Sequence, residues 1–353
     1  MAGTVQTVRG PVSADELGVT LVHEHIMADN NGLFDPSSDP VRAREPLTME
    51  NLWWVRVNPV KNLDNIQPFD EDLAADELQR FHGAGGRTVV DPTPRGKSPN
   101  PLGIRRVATR TGLHVILGCG WYRAPSHPKD VAGMTPDEVY DRILEDVTVG
   151  IDGTDVRAGI IGEIGCSVPL HPDEEKVLRA AAGVQRQTGV ALSIHPPMGS
   201  PKTSHLVPET LNQVLDILAA EGCDPTRVIF CHMDWAGYDL ATKKRLAEQG
   251  SYLAFDTFGY VDIVNLPNDG GFINPPGDLE RVTAFLELVR LGYAKHLLLG
   301  QDIGWKLRLT AFGGTGYGHV LDNVVPLLRA NDVSDEELDS ILVQNPRRVL
   351  AGA

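Results

Sequence analysis

The chain is predicted to be an α/β protein folded as a closed (β/α)8 TIM barrel, with long loops at its C-terminal mouth. Three observations predict it. Eight short apolar runs each give way to a segment with helical spacing, an alternation that calls for a parallel sheet with helices outside. The first run leads into His23-Glu24-His25, not into the Gly-rich phosphate loop that an open doubly wound sheet would place there. Several later runs end in residues of metal-ligand type, and in a barrel all such ends share one mouth.

The elements follow in order. Residues 4–8 and then Gly10-Pro11 read as a β-ribbon ahead of the barrel. The first strand, 18–22, ends at His23 and His25; residues two apart on a strand share a face, so both imidazoles project together with Glu24 turned away. Residues 27–69, rich in Asn, Pro and Asp, form a lid-like insertion. Within it 46–54 reads as a short helix capped by Thr48, and Trp53 and Trp54 favour an ordered lid over a linker. Helices are then expected at 70–82, 102–111, 135–149, 173–188, 208–221, 239–249 and 277–291, with Thr135 and Glu138 as a capping box. They alternate with strands at 88–90, 114–118, 158–163, 190–194, 228–231, 252–255 and 296–299. A second long loop spans 259–277, and helices at 319–329 and 335–343 close the chain. No linker or low-complexity stretch divides 1–353, so one barrel domain is expected.

Composition narrows the function classes. A net charge of −15 opposes wrapping nucleic acid or lying on an anionic membrane. No apolar run approaches a membrane span. The start lacks the basic and apolar regions of a signal peptide, and Cys119, Cys166, Cys223 and Cys231 form no Cys-x-x-Cys pair, so a cytoplasmic protein with reduced thiols is expected. A small-molecule substrate is the expected partner, and a homodimer is expected from the general frequency of symmetric pairs.

The strand ends carry His23, His25, Glu163, His195, His232 and Asp302. That is too many donors for one tetrahedral ion and suits two divalent cations sharing a bridge. Glu163 is the central piece, since a carboxylate can give one oxygen to each cation. Asp302 is the candidate catalytic residue, ligating one ion and taking a proton from the water between them. Such a centre provides hydroxide near neutral pH for attack on an electrophilic carbon or phosphorus. A barrel that binds a ligand or metal without turnover is the alternative from another class.

Other residues carry weaker signals. Cys231 reads as barrel packing, and Asp234 and Asp256 as either orienting ligands or structural. Trp121, Tyr122 and Trp305 are candidates for the pocket wall. Arg95, Lys97, Lys306 and Arg308 lie in loops near the mouth; solvated loop charge is the simpler reading, with Lys306 and Arg308 carried forward as pocket candidates for an anionic tail. Gly313-Gly314-Thr315-Gly316 has no following Lys-Ser/Thr and is not read as a phosphate loop.

With these residues assembled, the chain resembles the phosphotriesterase-related branch of the amidohydrolase superfamily over nearly its whole length. The resemblance is carried by the opening Gly-Thr-Val-Gln-Thr-Val, Thr20-Leu21-Val22-His23-Glu24-His25 and the stretch Glu45 to Trp54. It continues in Gly159 to Ser167, Gly300-Gln301-Asp302, Gly313 to His319 and Asn345-Pro346. It implies a binuclear centre, commonly zinc, with manganese, cobalt or iron as alternatives. His23, His25 and Asp302 would hold the buried ion, His195 and His232 the exposed ion, and Glu163 would bridge them. The best-known organophosphate-degrading and lactonase members use a carboxylated lysine where this chain has Glu163. That departure, with the long segments, looks closer to the phosphotriesterase-related proteins, some of them linked to N-acyl amides such as N-acetyltaurine. The resemblance therefore implies hydrolysis of a small amide or ester, an N-acyl amino acid or N-acyl aminosulfonate first, lactones next and phosphotriesters last.

Overall fold

The computed structural model describes residues 3–36, 39–235, 238–260, 263–266 and 271–352. Strands β1 (Thr4–Thr7) and β2 (Gly10–Ser13) form the antiparallel ribbon, with Thr4 opposite Ser13 and Thr7 opposite Gly10. The barrel strands follow: β3 (Thr20–Leu21), β4 (Thr88–Asp91), β5 (His114–Leu117), β6 (Ile161–Gly165), β7 (Leu192–His195), β8 (Val228–Phe230) and β9 (Tyr252–Phe255). A hairpin, β10 (Val264–Leu266) and β11 (Gly271–Ile273), intervenes in the second long loop before β12 (Leu297–Leu299). Strands β3-β4-β5 and β6-β7-β8-β9-β12 are two runs of parallel pairs. Backbone bonds join them at both edges. Val22 N donates to Leu299 O at 3.0 Å, and Gly159 N to Leu117 O at 2.9 Å. The barrel is thereby closed.

Alternation along the strands builds two cores. Val22, Val90, Ile116, Ile160, Ala191, Ile229, Ala254 and Leu298 fill the barrel interior, one from each strand position. Their neighbours Leu21, Val89, Val115, Ile161, Leu192, Phe230, Leu253 and Leu297 face outward into the layer shared with the helices. Burying one such side chain contributes about 1.5–3 kcal/mol. Val5 and Leu17, with Val349 and Leu350, join the inner cluster from below, so the ribbon and the last helix plug the end opposite the mouth.

Helices α1 (Leu52–Val57) and α2 (Leu63–Ile66) lie in the insertion; α3 (Glu71–Gly83), α4 (Pro101–Thr111), α5 (Pro136–Thr148), α6 (Pro172–Thr188), α7 (Val207–Ala220), α8 (Leu240–Glu248) and α9 (Asp278–Arg290) form the outer layer. Side chains start the helices where expected: Asp70 accepts from Leu73 N, Asp239 from Thr242 N, and Thr135 forms its capping box with Glu138. Short helices α10 (Val325–Arg329), α11 (Asp335–Asp339) and α12 (Asn345–Leu350) close the chain, with π-turns at Val320–Val324 and Ser340–Gln344. No helix among the described residues is long and apolar enough to cross a membrane.

Two local expectations need correction. The insertion helix begins at Leu52, and Thr48 does not cap it. The Asn51 side chain instead accepts from Thr48 N and donates to Pro46 O, both at 2.9 Å, and this local closure displaces the helical start. The final helix α12 lies beyond the last expected helix, 335–343; its Pro346 sits in the first turn, where proline is tolerated. The insertion is ordered by its own small core, in which Leu47, Leu52, Trp54 and Val55 pack with Leu307. Its residues Asn30, Leu33 and Val60 line the cavity at the mouth.

Candidate metal centre

Two of the site's side chains keep the strand alternation. Ala191, Ser193 and His195 all face the interior, as do Tyr252, Ala254 and Asp256. Glu163, His232 and Asp302 depend on its breaking. Strand β6 carries a register shift between Ile161 and Ile164 that turns Glu163 into the mouth. Gly162 makes this shift possible: its φ is +114°, and a Cβ there would lie 2.1 Å from Ser193 O. His232 and Asp302 have positive φ, 56° and 50°, and left-handed backbone at a non-glycine residue is a strained conformation found preferentially at functional sites. Because His232 is turned this way, Cys231 and His232 both face inward, with Cys231 Sγ 3.0 Å from Ser193 Oγ in the layer below.

The six strand-end side chains meet. His23 Nε2 and His25 Nε2 are 3.2 Å apart. His25 Nε2 is 3.3 Å from both Glu163 Oε1 and Asp302 Oδ1. The other Glu163 oxygen, Oε2, lies 3.5 Å from His232 Nε2 and 3.7 Å from His23 Nε2. The His195 ring stands edge-on to His232, centroids 4.9 Å apart. Ligand atoms around a four-coordinate ion with bonds of about 2.0–2.1 Å sit roughly 3.3–3.4 Å apart, so these spacings are those of a donor cage. Glu163 Oε2 and His195 Nδ1 are buried without a hydrogen-bond partner, a costly state that a cation would relieve. The donor set therefore fits divalent metal.

A further ring of groups aims the imidazoles. Asp256, fully buried, accepts from His232 N at 2.8 Å and contacts His232 Nδ1 at 2.9 Å. Its second oxygen lies 2.9 Å from His23 Nδ1, close enough for a strong charge contact though out of line for a straight hydrogen bond. His25 Nδ1 meets Thr93 Oγ1 at 2.8 Å, and that hydroxyl donates to Asp91. Glu24, turned away from its histidine neighbours, accepts from Gln301 N at 2.8 Å and Ile303 N at 3.0 Å, fixing the backbone on both sides of Asp302.

Electrostatics divide the histidines. Burial pulls the His23 imidazole down, yet Cys231, Asp256 and Glu163 together hold it well above its ordinary range. His232 is likewise raised against burial, by Asp256 and Glu163. His195 is held well below, chiefly by burial. Burial works against the Glu163 charge, but Lys97, His23 and His232 keep this carboxylate well below its usual range. Asp302 is also lowered, by His25, His23 and His232 against its own burial.

The adjoining cavity encloses about 930 Å3 including its open mouth. His25, Glu163, His195, His232 and Asp302 line its floor, Tyr122 and Trp305 its walls, and Asn30, Leu33 and Val60 of the insertion its roof. Trp121, Lys306 and Arg308 do not line it. Trp121 is buried beneath Arg95, Lys306 pairs with Asp64 at 2.7 Å, and Arg308 is buried under Tyr260, donating to Phe258 O and Gln301 O. Lys97 is no solvated loop charge: it is buried, 3.1 Å from Glu163 Oε1. Arg123, Met198, Trp235 and Tyr260 also line the cavity and were missed. Each lies within six residues beyond a strand end, so carrying each strand reading further into its loop would have gathered them.

A model of the phosphotriesterase family matches residues 3–350. Among curated relatives, the N-acetyltaurine hydrolase of Tetraodon nigroviridis is 36% identical over 353 residues, covering 99% of this chain and 98% of that protein. Among solved structures, a resiniferatoxin-binding protein from Rhodobacter sphaeroides superposes with a TM-score of 0.90 at 38% identity, covering 99% of this chain and 95% of that one. The phosphotriesterase homology protein of Escherichia coli, solved with phosphate in its active site, gives a TM-score of 0.76 at 28% identity, covering 95% and 99%. With the family match running through every strand of the barrel, the chain belongs to the phosphotriesterase family and is a hydrolase.

Proposed function

We propose that this hydrolase cleaves the amide of small N-acylated amino acids or aminosulfonates, N-acetyltaurine being the first compound to try. The observation that carries the proposal is Glu163 standing among the imidazoles with one oxygen toward His25 and the other toward His23 and His232, in a chain whose full-length relatives bear the name N-acetyltaurine hydrolase. His23, His25 and Asp302 would hold one divalent cation, His195 and His232 a second, with Glu163 between them. Zinc suits this nitrogen and oxygen set, and manganese, cobalt or iron would also be accommodated. When bound, the cations polarise a carbonyl and make water acidic enough to attack at neutral pH.

The chain's own groups do the rest. Asp302 lies at the cavity edge, its side chain 23% exposed, and its lowered pKa keeps it ionised at neutral pH. It can take the proton of the attacking water at a carboxylate oxygen and return it to the leaving amine nitrogen. Neutral His195 is in the protonation state a ligand requires. Asn30, Leu33 and Val60 of the insertion, with Tyr122 and Trp305, surround the space open to the substrate.

The test is an assay of metal-reconstituted protein against N-acyl amides, lactones and organophosphate triesters. Turnover is expected in that order, and no cleavage of any N-acyl amide overturns the proposal. The likeness to a protein named for resiniferatoxin binding favours a second reading, a barrel that binds without turnover. Ligand binding that survives Asp302→Asn, with no product from wild type, would establish it.

A further inference from the structure

We infer that Arg123 selects for an anionic substrate, gripping its carboxylate or sulfonate while the scissile amide lies among the strand-end donors; this rests on the amide-hydrolase reading above. Among the described residues, two permanently basic side chains line the cavity, Lys97 and Arg123. Lys97 is committed, its Nζ bonded to the central carboxylate of Glu163. The other basic residues near the mouth are spent elsewhere: Arg95 on Asp146 and Asp152, Lys306 on Asp64, Arg308 on two backbone carbonyls. Among the described residues, the Arg123 guanidinium has neither a carboxylate partner nor a hydrogen bond. What holds it is the Tyr122 ring, 5.1 Å from its Cζ.

The position suits the chemistry. The same Tyr122 ring stands edge-on to His195 with centroids 5.1 Å apart, so one aromatic ring touches both the guanidinium and an imidazole of the candidate metal centre. In an N-acyl amino acid the acyl carbon and the carboxylate are roughly one residue apart, about 3.5 Å, and an aminoethanesulfonate adds one methylene. Arg123 lines the same cavity as His25, Glu163, His195, His232 and Asp302, so a substrate held among those donors can present its anionic end to the guanidinium. The planar guanidinium presents paired N–H donors that match two oxygens of a carboxylate or sulfonate, which an ammonium cannot do. Met198, Trp235, Trp305 and Tyr260 supply much of the remaining wall. An uncharged tail would leave a half-buried guanidinium unpaired against these apolar faces, and that discriminates against it.

The experiment compares wild type with Arg123→Met and Arg123→Lys, each metal-reconstituted, on 2-acetamidoethanesulfonate, N-acetylglycine and uncharged N-ethylacetamide. Arg123→Met should lower the anionic-to-neutral ratio of kcat/KM by roughly 30- to 100-fold, chiefly through KM. Arg123→Lys should restore part of the ratio, and the larger loss between sulfonate and carboxylate identifies the preferred oxyanion. Arg123→Gln replaces the Met variant if circular dichroism shows that variant unfolded. Calorimetric binding of 2-acetamidoethanesulfonate to the metal-free protein separates the two ways of failing. Binding lost in Arg123→Met without wild-type turnover keeps the Arg123 subsite and overturns amide hydrolysis. Turnover with an unchanged ratio keeps amide hydrolysis and overturns the subsite. Neither binding nor turnover by wild type overturns both.

Discussion

The four histidines of the mouth are held in two different ways. His23, His25 and His232 each have their outer ring nitrogen against an oxygen, from Asp256 or Thr93, at 2.8–2.9 Å. His195 has no such brace; neither of its nitrogens is hydrogen-bonded among the described residues, and the Tyr122 and His232 rings fix it by edge contact alone. The difference separates a rigid side, pre-aimed before any cation arrives, from a side that metal or substrate must organise. Outer partners fix tautomer and ring angle and raise basicity. The cation on the His23 side should therefore be retained longer under chelation than its neighbour.

Asp256→Ala should have the largest effect, since one carboxylate serves two of the three braced rings. Metal affinity, read by competition with a chromophoric chelator, should fall roughly 100-fold, and an unchanged value would break the comparison.

The metal-free protein should show the same division as opposite pH dependences. His23 and His232 have raised folded pKa values, so their contribution is full below the unfolded value near 6.5 and is lost as pH rises through the folded value. His195 is depressed, so its penalty appears as pH falls below that same unfolded value. Each proton contributes a slope of up to about 1.4 kcal/mol per pH unit. In denaturant titrations Asp256→Asn should flatten the alkaline limb and His195→Gln the acid limb; both acting on one limb would contradict the division.

Thr93→Val removes a single brace from His25 and should cost about tenfold in metal affinity, measured by the same competition. Tyr122→Leu, on the unbraced side, removes the edge contact to His195 and the ring against which Lys97 and Arg123 lie. A loss of a few-fold in activity is expected, in line with the roughly 0.5–1.5 kcal/mol of such pairs.

How much of this was legible depends on whether a residue obeys the alternation. The eight strands, the capped helices and the inward set of His195 and Asp256 follow from period two and helical spacing. Glu163, His232 and Asp302 were found because their residue types stand out at strand ends, but what aims them was hidden. A register shift, a glycine pressed against Ser193 O and two left-handed residues leave no composition signal. The pocket wall was read less well. Trp121, Lys306 and Arg308 are as near to strand ends in sequence as Tyr122 and Trp305, and the path of each loop decides which side chain reaches the cavity. Lys97 and Arg123 show the same thing from the other side, since charge in a loop does not reveal whether it is solvated.

The plugged end of the barrel has a consequence for engineering. Gly352 N donates to Thr4 O at 2.8 Å, so the two extremities of the described chain are stitched together on the face farthest from the donors. A circular permutant that fuses them through a short bridge and reopens the polypeptide at an outer helix–strand turn would leave every loop of the mouth uncut. The barrel can thus be rewired from its base, and the surface that chooses substrates can be varied independently of where translation starts.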